Sequence, residues 1–329
     1  MKLYTFIILT LCLHATSPLF SQKDSTKLRF FTTAPALQKE RIIGLTTGLA
    51  TSYTGTMLGL NYIWYKDSPR TNFHFFNDAK EWKQVDKMGH VHTAYFESVW
   101  SAQMLKWAGV DAKKAAIYGS LMGFGFQTSI EIFDGFSDKW GASLSDIGFN
   151  ALGSGLALTQ NLLWDEQRIR TKYSFHQVTY PDSQLEQRAI DLYGTGKVER
   201  IIKDYNSLAI WLSITPSLFM NNPRPQSSWL ALSLGYMGGD MYGGFENKWE
   251  DENGIEIDRT DIKQYRRFFF SLDVDFEQIP AKKHGWKTLL RIINIVKAPM
   301  PALEVNTRGE IVFHPMFYLN WNKAIVLKN

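Results

Sequence analysis

The feature that most constrains this chain is a series of four long apolar segments in its first half. They contain few charged residues and cover residues 42–65, 86–107, 115–133 and 147–164. The first of them contains no charged residue at all. A helix needs roughly 20 apolar residues to cross a hydrocarbon layer of about 30 Å, and each segment is close to that length. The pattern therefore predicts four apolar helices, each nearly long enough to cross a bilayer.

Two environments are open for these helices. Glycines such as Gly48, Gly123 and Gly153 let helices approach closely and are commoner in membrane helices than in soluble ones. They favour embedding, with membrane lipid as the expected partner. Charges in the second and third segments support the alternative, a water-soluble helical bundle with a tight core.

A different pattern follows Trp164. Residues 165–206 are charged and predict helices with a break at residues 193–196. Further on, alternation of apolar and polar residues predicts strands, over residues 229–237, 268–276 and 310–321. The second of these is predicted to be half-buried, with one apolar face and one acidic face.

An amphipathic helix is predicted over residues 286–296, where apolar residues recur at helical spacing among Lys287, Arg291 and Lys297. It could pack on the sheet, which is the favoured interpretation, or lie on a membrane surface. The predicted fold class is α+β, with an N-terminal bundle of four apolar helices and a C-terminal antiparallel β-rich region. The predicted units are a signal peptide (1–21), a helical bundle domain with a polar site (40–165), a charged helical connector (166–206) and a β-rich region (207–329).

The first residues predict export to the cell envelope, facing the periplasm and associated with the inner or outer membrane. Lys2 precedes an apolar run over residues 3–13, and small or polar residues follow through Ser21, which is the order of a secretory signal peptide. Cys12 is the one cysteine, so cleavage near Ser21 would exclude disulfides, thiolate catalysis and cysteine-based zinc sites. The net charge of +4 includes no block of Lys and Arg, so nucleic acid is not an expected partner. No protein partner is indicated.

Polar residues fall on one stripe of each of the last three apolar helices. The stripes contain Asp86, His90 and Glu97 on the second helix, Gln127, Glu131 and Asp134 on the third, and Asp146 and Asn150 on the fourth. The three residues of the first stripe lie within about 40° of one another around the helix axis, and Lys87 lies off that stripe. Because an unpaired charge in an apolar setting is costly, the stripes are expected to face each other and form one buried polar site.

Three interpretations of this site are open. His90, Glu131, Asp134 and Asp146 could bind a divalent metal ion, since imidazole and carboxylates suit such an ion. Alternatively, His90 or Glu131 could act as an acid–base catalyst with a pKa shifted by burial. A salt-bridge network that fixes helix register is the third interpretation and the one that spacing alone favours. The wider set of binding candidates is Asp86, Lys87, Glu97, Asp134, Asp146 and Asn150.

Three sequence blocks carry a resemblance to a known family. They are Asp-Lys-Met-Gly-His at residues 86–90, Glu-Ile-Phe-Asp-Gly at 131–135, and Gly-Ala-Ser-Leu-Ser-Asp-Ile at 141–147 with Asn150 and Gly153. Together they resemble the YfiM-like predicted periplasmic lipoprotein family, domain-of-unknown-function family 2279, over roughly residues 40–165. Residues 271–275 and 313–315 are similar to the longer form of Bacteroidetes-type bacteria. The family implies no activity, and Leu11 before Cys12 departs from a lipoprotein signal, so lipid anchoring is not expected.

A weaker similarity is to VanZ-like membrane proteins, which are linked to glycopeptide resistance. The matching positions are Asp86, Lys87, His90, Glu131, Asp146, Asn150 and Gly153. An Arg that precedes the last block in that family has no clear equivalent here, and Lys139 is the nearest residue. This similarity implies membrane embedding and an amphiphilic ligand.

The function expected from the sequence is that of a non-enzymatic bacterial envelope protein whose buried polar site is structural or binds an ion or a lipid headgroup. The alternative is a membrane-associated hydrolase or transferase acting on a lipid-linked or cell-wall substrate. His90 and Glu131 are its catalytic candidates, and a divalent metal is the one cofactor considered for either function.

Overall fold

Helices occupy the first half of the chain and strands dominate the second. The computed structural model describes residues 30–65, 69–176, 178–220, 228–251, 253–317 and 324–328. The predicted signal peptide lies outside these residues. From Thr33 onward the chain forms one unit, and the predicted domain boundaries inside it stay a prediction.

The four long helices match the apolar segments closely. The helices are α1 (Lys39–Leu60), α2 (Val85–Trp107), α3 (Ala112–Asp134), α4 (Leu144–Trp164), α5 (Ser183–Tyr193), α6 (Lys197–Lys203) and α7 (His284–Ile293). A short π-helical turn, Asn61–Tyr65, continues α1. The prediction was accurate here because long apolar runs bounded by turn residues constrain helix ends well.

Helices α2, α3 and α4 pack closely against one another at small residues. A Cβ added at Gly123 would lie 2.3 Å from Ser98 Oγ, and one added at Gly153 would lie 2.2 Å from the carbonyl oxygen of Val91. Helix α1 contains no buried residue and touches α3 through Tyr53, whose ring stacks on Phe126 at 5.3 Å. The three-helix unit is therefore established, whereas a bundle of four helices is not confirmed.

Charged and polar side chains interrupt the apolar sequence of these helices. Among the described residues, no helix combines the length and the apolar character that a membrane crossing requires.

An antiparallel sheet forms most of the C-terminal half, which confirms the mixed helix and sheet class. The strands are β1 (Ile169–Phe175), β2 (Leu208–Ile214), β3 (Leu230–Gly239), β4 (Lys248–Glu250), β5 (Glu256–Asp258), β6 (Tyr265–Val274), β7 (Ala302–Asn306), β8 (Ile311–His314) and β9 (Ile325–Lys328). Seven of them form one sheet in the order β1-β2-β3-β6-β7-β8-β9, and β4 and β5 form a separate two-stranded sheet.

The charged stretch after Trp164 was predicted to be helical, and this is wrong for its first part. It begins with strand β1, and only then follow α5 and α6, which are separated at residues 194–196. Arg170 and Lys172 suggest a solvated surface, yet both are buried, because Arg170 pairs with Asp275 and Lys172 with Asp273. Pairing across the fold is not visible in local sequence.

The sheet buries the face that carries its polar side chains, together with Trp211, Met237 and Phe269, and exposes a face of apolar side chains. On β6, Ser271 and Asp273 are buried, whereas Phe270 is 52% exposed. The same holds on β3, where Ser233 is buried and Leu234 is 55% exposed. The alternation was predicted correctly, but the burial is the reverse of the usual arrangement of a half-buried strand.

Helix α2 connects the helical unit to the sheet. The Tyr95 hydroxyl donates to the carbonyl oxygen of Ile169, with 3.2 Å between the oxygens, and His92 Nδ1 lies 3.1 Å from Thr171 Oγ1. Helix α7, by contrast, contains no buried residue and leaves Trp286 exposed. The favoured prediction that α7 packs its apolar side on the sheet is therefore wrong.

Candidate functional site

The candidate site lies where the first turns of α2 and α4 meet the last turns of α3. A tight turn precedes α2, in which Trp82, Lys83 and Gln84 all have positive φ angles of 48°, 51° and 64°. Such angles are uncommon for residues other than glycine, and runs of them are often found near functional sites. The turn brings Asp78, from the preceding loop, against the start of α2.

Lys87 forms the centre of an ion-pair cluster. Its Nζ lies 2.7 Å from Asp78 Oδ2, 2.7 Å from Asp146 Oδ1 and 3.0 Å from Asp86 Oδ2. Burial disfavours the ammonium form, but Asp86 and Asp146 outweigh it and raise the pKa of Lys87 above its usual value. Lys87 therefore stays charged and ties two helices and a loop together.

His90 lies one turn along α2 and faces three carboxylates. Its Nδ1 lies 3.0 Å from Asn150 Oδ1, and because an amide oxygen only accepts, Nδ1 is the donor. Its Nε2 lies 3.7 Å from Glu131 Oε1, 3.7 Å from Asp146 Oδ2 and 3.9 Å from Asp86 Oδ1. Asn150 thus orients the imidazole so that Nε2 points toward the three carboxylates.

Glu131 has a hydrogen-bond partner on only one of its carboxylate oxygens. The backbone N–H of Ser143 donates to its Oε2 at 3.0 Å, whereas Oε1 is buried and has no hydrogen-bond partner. Burial raises the pKa of Glu131 to about 8 despite the opposing influence of His90. Burial and the neighbouring Asp86 likewise raise the pKa of Asp146 to about 7.

Carboxyl groups outnumber cations in this site. The carboxyl groups are those of Asp78, Asp86, Glu131, Asp134 and Asp146, and the two cationic groups among them are Lys87 and His90. Asp134 accepts a short hydrogen bond from the Tyr65 hydroxyl, and burial raises the pKa of Asp134 to about 6. Fully ionised, the cluster would carry a clear excess of negative charge.

The donor set could hold a divalent metal ion. Ligand atoms of Asp86, His90 and Asp146 all lie within 4.8 Å of one another, and Glu131 Oε1 faces the same space. Ligands at about 2.0–2.2 Å from one ion lie about 3–3.5 Å apart, so the most widely separated of these atoms would have to approach each other by about 1–2 Å on binding. One imidazole nitrogen with carboxylate oxygens suits a borderline ion such as zinc, manganese or iron.

Solvent reaches the site from one side. The side chain of His90 is 15% exposed and that of Asp86 is 21% exposed, whereas Glu131 and Asp146 lie deeper. Tyr205, from the segment after α6, donates its hydroxyl proton to Asp86 Oδ1 at 2.8 Å and holds that carboxylate in place. His90 and Asp86 are therefore the accessible edge of the site.

Most of the predicted site residues converge, and one does not. Asp86, His90, Glu131, Asp146 and Asn150 meet as expected, with Asp134 beside them. Glu97 lies apart, where its Oε1 accepts from Gln127 Nε2 at 3.0 Å. Lys87 was placed off the polar stripe, yet its long side chain reaches the centre of the cluster.

Other residues of the site were not recognised from sequence. Asp78 and Tyr205 come from segments outside the three helices, and no local pattern marks them. Ser143 caps α4 by accepting from the N–H of Asp146 at 3.0 Å, and it too lies outside the polar stripes. Ser145 donates its hydroxyl proton to Asp78 at 2.8 Å.

The comparisons with known proteins find similarity to one family and assign no activity. Residues 74–162 match the family model described as "Predicted periplasmic lipoprotein (DUF2279)". No curated protein and no solved structure shows significant similarity to the chain. The family description supports an exported, envelope-associated protein. The matched residues include α2, α3, most of α4 and all three sequence blocks, so the resemblance to this family is confirmed over residues 74–162.

Proposed function

We propose that this chain is a cell-envelope protein that binds one divalent metal ion between His90, Asp86, Glu131 and Asp146. One observation carries the proposal: Glu131 Oε1 is buried, has no hydrogen-bond partner and lies 3.7 Å from His90 Nε2. A buried polar atom without a partner costs free energy that a bound cation would recover.

The surroundings of the four residues support a metal rather than a purely structural network. Asn150 orients His90, the Ser143 N–H holds Glu131, and Tyr205 holds Asp86. Metal-binding residues are typically oriented in this way by a second layer of hydrogen bonds. In Glu131 this orienting layer is combined with a carboxylate oxygen that has no hydrogen-bond partner and faces His90.

An ion also suits the site better than a lipid headgroup does. A phosphate would bring further negative charge against carboxyl groups that already outnumber Lys87 and His90. A divalent cation would reduce the excess and allow Glu131 and Asp146 to ionise, since metal binding displaces protons from its ligands. Lys87 is fully committed to three aspartates and is not expected to contact the ion.

Loading experiments test the proposal. The purified protein is stripped with a chelator, offered Zn²⁺, Mn²⁺ or Mg²⁺, and analysed for bound metal by elemental analysis and calorimetry. We expect one ion per chain, with Zn²⁺ or Mn²⁺ bound more tightly than Mg²⁺ because of the imidazole ligand. Glu131→Gln should weaken binding at least about tenfold, on the scale seen when metal sites lose supporting groups.

The matched control is Glu97→Gln, which removes another largely buried carboxylate that is bonded to Gln127 and lies away from His90 Nε2. It should leave metal affinity unchanged. Absence of a stoichiometric ion after loading, or equal weakening by both substitutions, would refute the metal site.

A hydrolase is the second candidate, favoured by the partial exposure of His90 and Asp86 beside a glutamate whose pKa is about 8. A carboxyl group with a pKa near the working pH is suited to proton transfer, and a divalent ion can activate a bound water. The metal-loaded protein would then release soluble product from cell-wall material or phospholipid vesicles, and Glu131→Gln would not. Equal release by both proteins, or none by either, would exclude this candidate.

A further inference from the structure

The sheet exposes a continuous apolar surface, which we call the outer sheet face. It consists of Leu212 on β2, Leu230, Leu232 and Leu234 on β3, Phe268, Phe270 and Leu272 on β6, and Leu303 and Val305 on β7. The strand register places Leu212 beside Leu234, Leu234 beside Phe270, and Phe270 beside Leu303. The exposed side chains therefore form uninterrupted rows across four strands.

This apolar surface is not the core side of the sheet, because the opposite face of the same strands is the buried one. Lys172 and Lys297 pair there with Asp273, at 3.2 and 3.8 Å, and all three are buried. Proteins that work in water rarely expose a continuous apolar patch of this kind unless it contacts something. The inversion of polarity points to an apolar surrounding on the outer side.

The composition of the outer sheet face distinguishes lipid from protein as its partner. Interfaces between proteins contain about one hydrogen bond per 100–200 Å². Between Leu230 and Leu234 on β3, and between Phe268 and Val274 on β6, every outward side chain is a hydrocarbon. Such a surface offers acyl chains the contact they prefer and offers a protein partner no polar groups to pair with.

One end of the sheet has the composition of a membrane interface. Trp229 precedes β3, and its carbonyl oxygen accepts from the N–H of Asp275 just after β6 at 2.7 Å. From the same end the chain continues through exposed Lys282 and Lys283 into α7, whose Trp286 is exposed as well. Tryptophan and basic residues on an amphipathic helix are characteristic of the boundary between acyl chains and anionic headgroups.

We infer that this protein binds an anionic lipid layer, with the outer sheet face against acyl chains and α7 at the headgroups. The inference does not depend on the metal site, which lies among other elements. It assigns a role to α7 and to the inverted sheet, two features that the metal site leaves unexplained.

Single-cysteine labelling tests the inference directly. In the full chain with Cys12→Ser, an environment-sensitive fluorophore is attached at Leu234→Cys, and the detergent-purified protein is mixed with phosphatidylethanolamine–phosphatidylglycerol vesicles (3:1). The emission should shift to shorter wavelength, and lipids with a quencher on the acyl chain should quench it. Val198→Cys, at an exposed apolar position on α6, is the control and should show neither change.

A second pair of variants separates binding from folding. Leu234→Asp with Phe270→Asp should lower the vesicle-bound fraction at least tenfold and leave the circular dichroism spectrum unchanged, since both positions are exposed. Val198→Asp should bind as the unmodified protein does. The inference would be overturned if the fluorophores at positions 234 and 198 gave the same emission shift with vesicles. It would also be overturned if the shift at position 234 appeared without lipid, through association of the protein with itself.

Discussion

Two regions of this protein bury charged side chains, and they do so in different ways. On the inner face of the sheet, Glu304 lies 2.7 Å from Arg267 and 2.8 Å from His314 Nε2, so both of its oxygens have strong partners. In the helical site, Glu131 is buried to the same extent, at 2% exposure, yet one of its oxygens has no hydrogen-bond partner.

The pKa values of these two glutamates show the consequence. Burial alone would raise both. His314 and Arg267 hold the pKa of Glu304 at about 2, whereas burial raises the pKa of Glu131 to about 8. Buried charge that is balanced by partners indicates a structural role, and buried charge in excess indicates a place for a cation. The following predictions challenge this distinction.

The largest effect is expected from Lys87→Met. The substitution leaves Asp78, Asp86 and Asp146 without their common partner, and uncompensated buried charge costs about 3–5 kcal/mol. Denaturant unfolding in the presence of a chelator measures it. Lys106→Met, on the same helix but paired with an exposed Asp165, should cost less than about 1 kcal/mol. If both variants lost a similar free energy of unfolding, Lys87 would not be the centre of the ion-pair cluster.

The two glutamates should respond in opposite directions to the same substitution. Glu304→Gln should lower the free energy of unfolding by about 3 kcal/mol, because Arg267 and His314 lose their anionic partner. In the metal-free protein at pH 8.5, Glu131→Gln should have no cost or should stabilise, because it removes a carboxyl group that is forced to ionise while buried. Equal destabilisation by the two substitutions would contradict the distinction between the regions.

Metal and pH should act together on the helical site. In the folded protein the pKa values of Glu131 and Asp146, about 8 and 7, lie above their ordinary values. The stability that their protonation provides is therefore fully present below about pH 4. This contribution is lost as the pH rises through 7 and 8, and the metal-free protein should become less stable over that range. Metal affinity should rise at least about tenfold from pH 6 to pH 8, because the ion displaces a proton. Calorimetry at several pH values measures how the stability and the metal affinity depend on pH, and Glu131→Gln should weaken both dependences.

The smallest effect is expected at the cap of α4. Ser143→Ala removes the hydroxyl that accepts from the Asp146 N–H, which should cost about 1 kcal/mol of stability and weaken metal binding by loosening Asp146. Ser145→Ala removes a hydrogen bond to Asp78 but no cap, and it should have the smaller effect on α4. Thermal unfolding of both variants compares them.

Sequence patterns predicted the helices well and the sheet only partly. The four long apolar runs fixed α1 to α4, because helix ends depend on local residues. Strand β1 was missed, since Arg170 and Lys172 have the composition of a solvated surface until Asp275 and Asp273 are brought beside them. The buried face of β6 could not be predicted either, because alternation reports two faces but not which one meets solvent.

The site was predicted where its residues share a helix face and missed where the chain returns from elsewhere. His90, Glu131, Asp146 and Asn150 converge because three polar stripes in apolar helices have one favourable arrangement. Asp78 and Tyr205 join them from a loop and from the segment before β2. Contacts of that kind depend on tertiary structure and have no signature in helical periodicity.

X-ray absorption at the zinc edge tests the central claim most directly. In the zinc-loaded protein we predict one imidazole nitrogen and carboxylate oxygens at about 2.0–2.2 Å, with outer-shell scattering from the imidazole ring. His90→Gln should abolish the imidazole signal while Glu97→Gln preserves it. A spectrum that shows only oxygen ligands, and is the same for the unmodified protein, His90→Gln and Glu97→Gln, would show that zinc binds elsewhere. That result would contradict the assignment of the site.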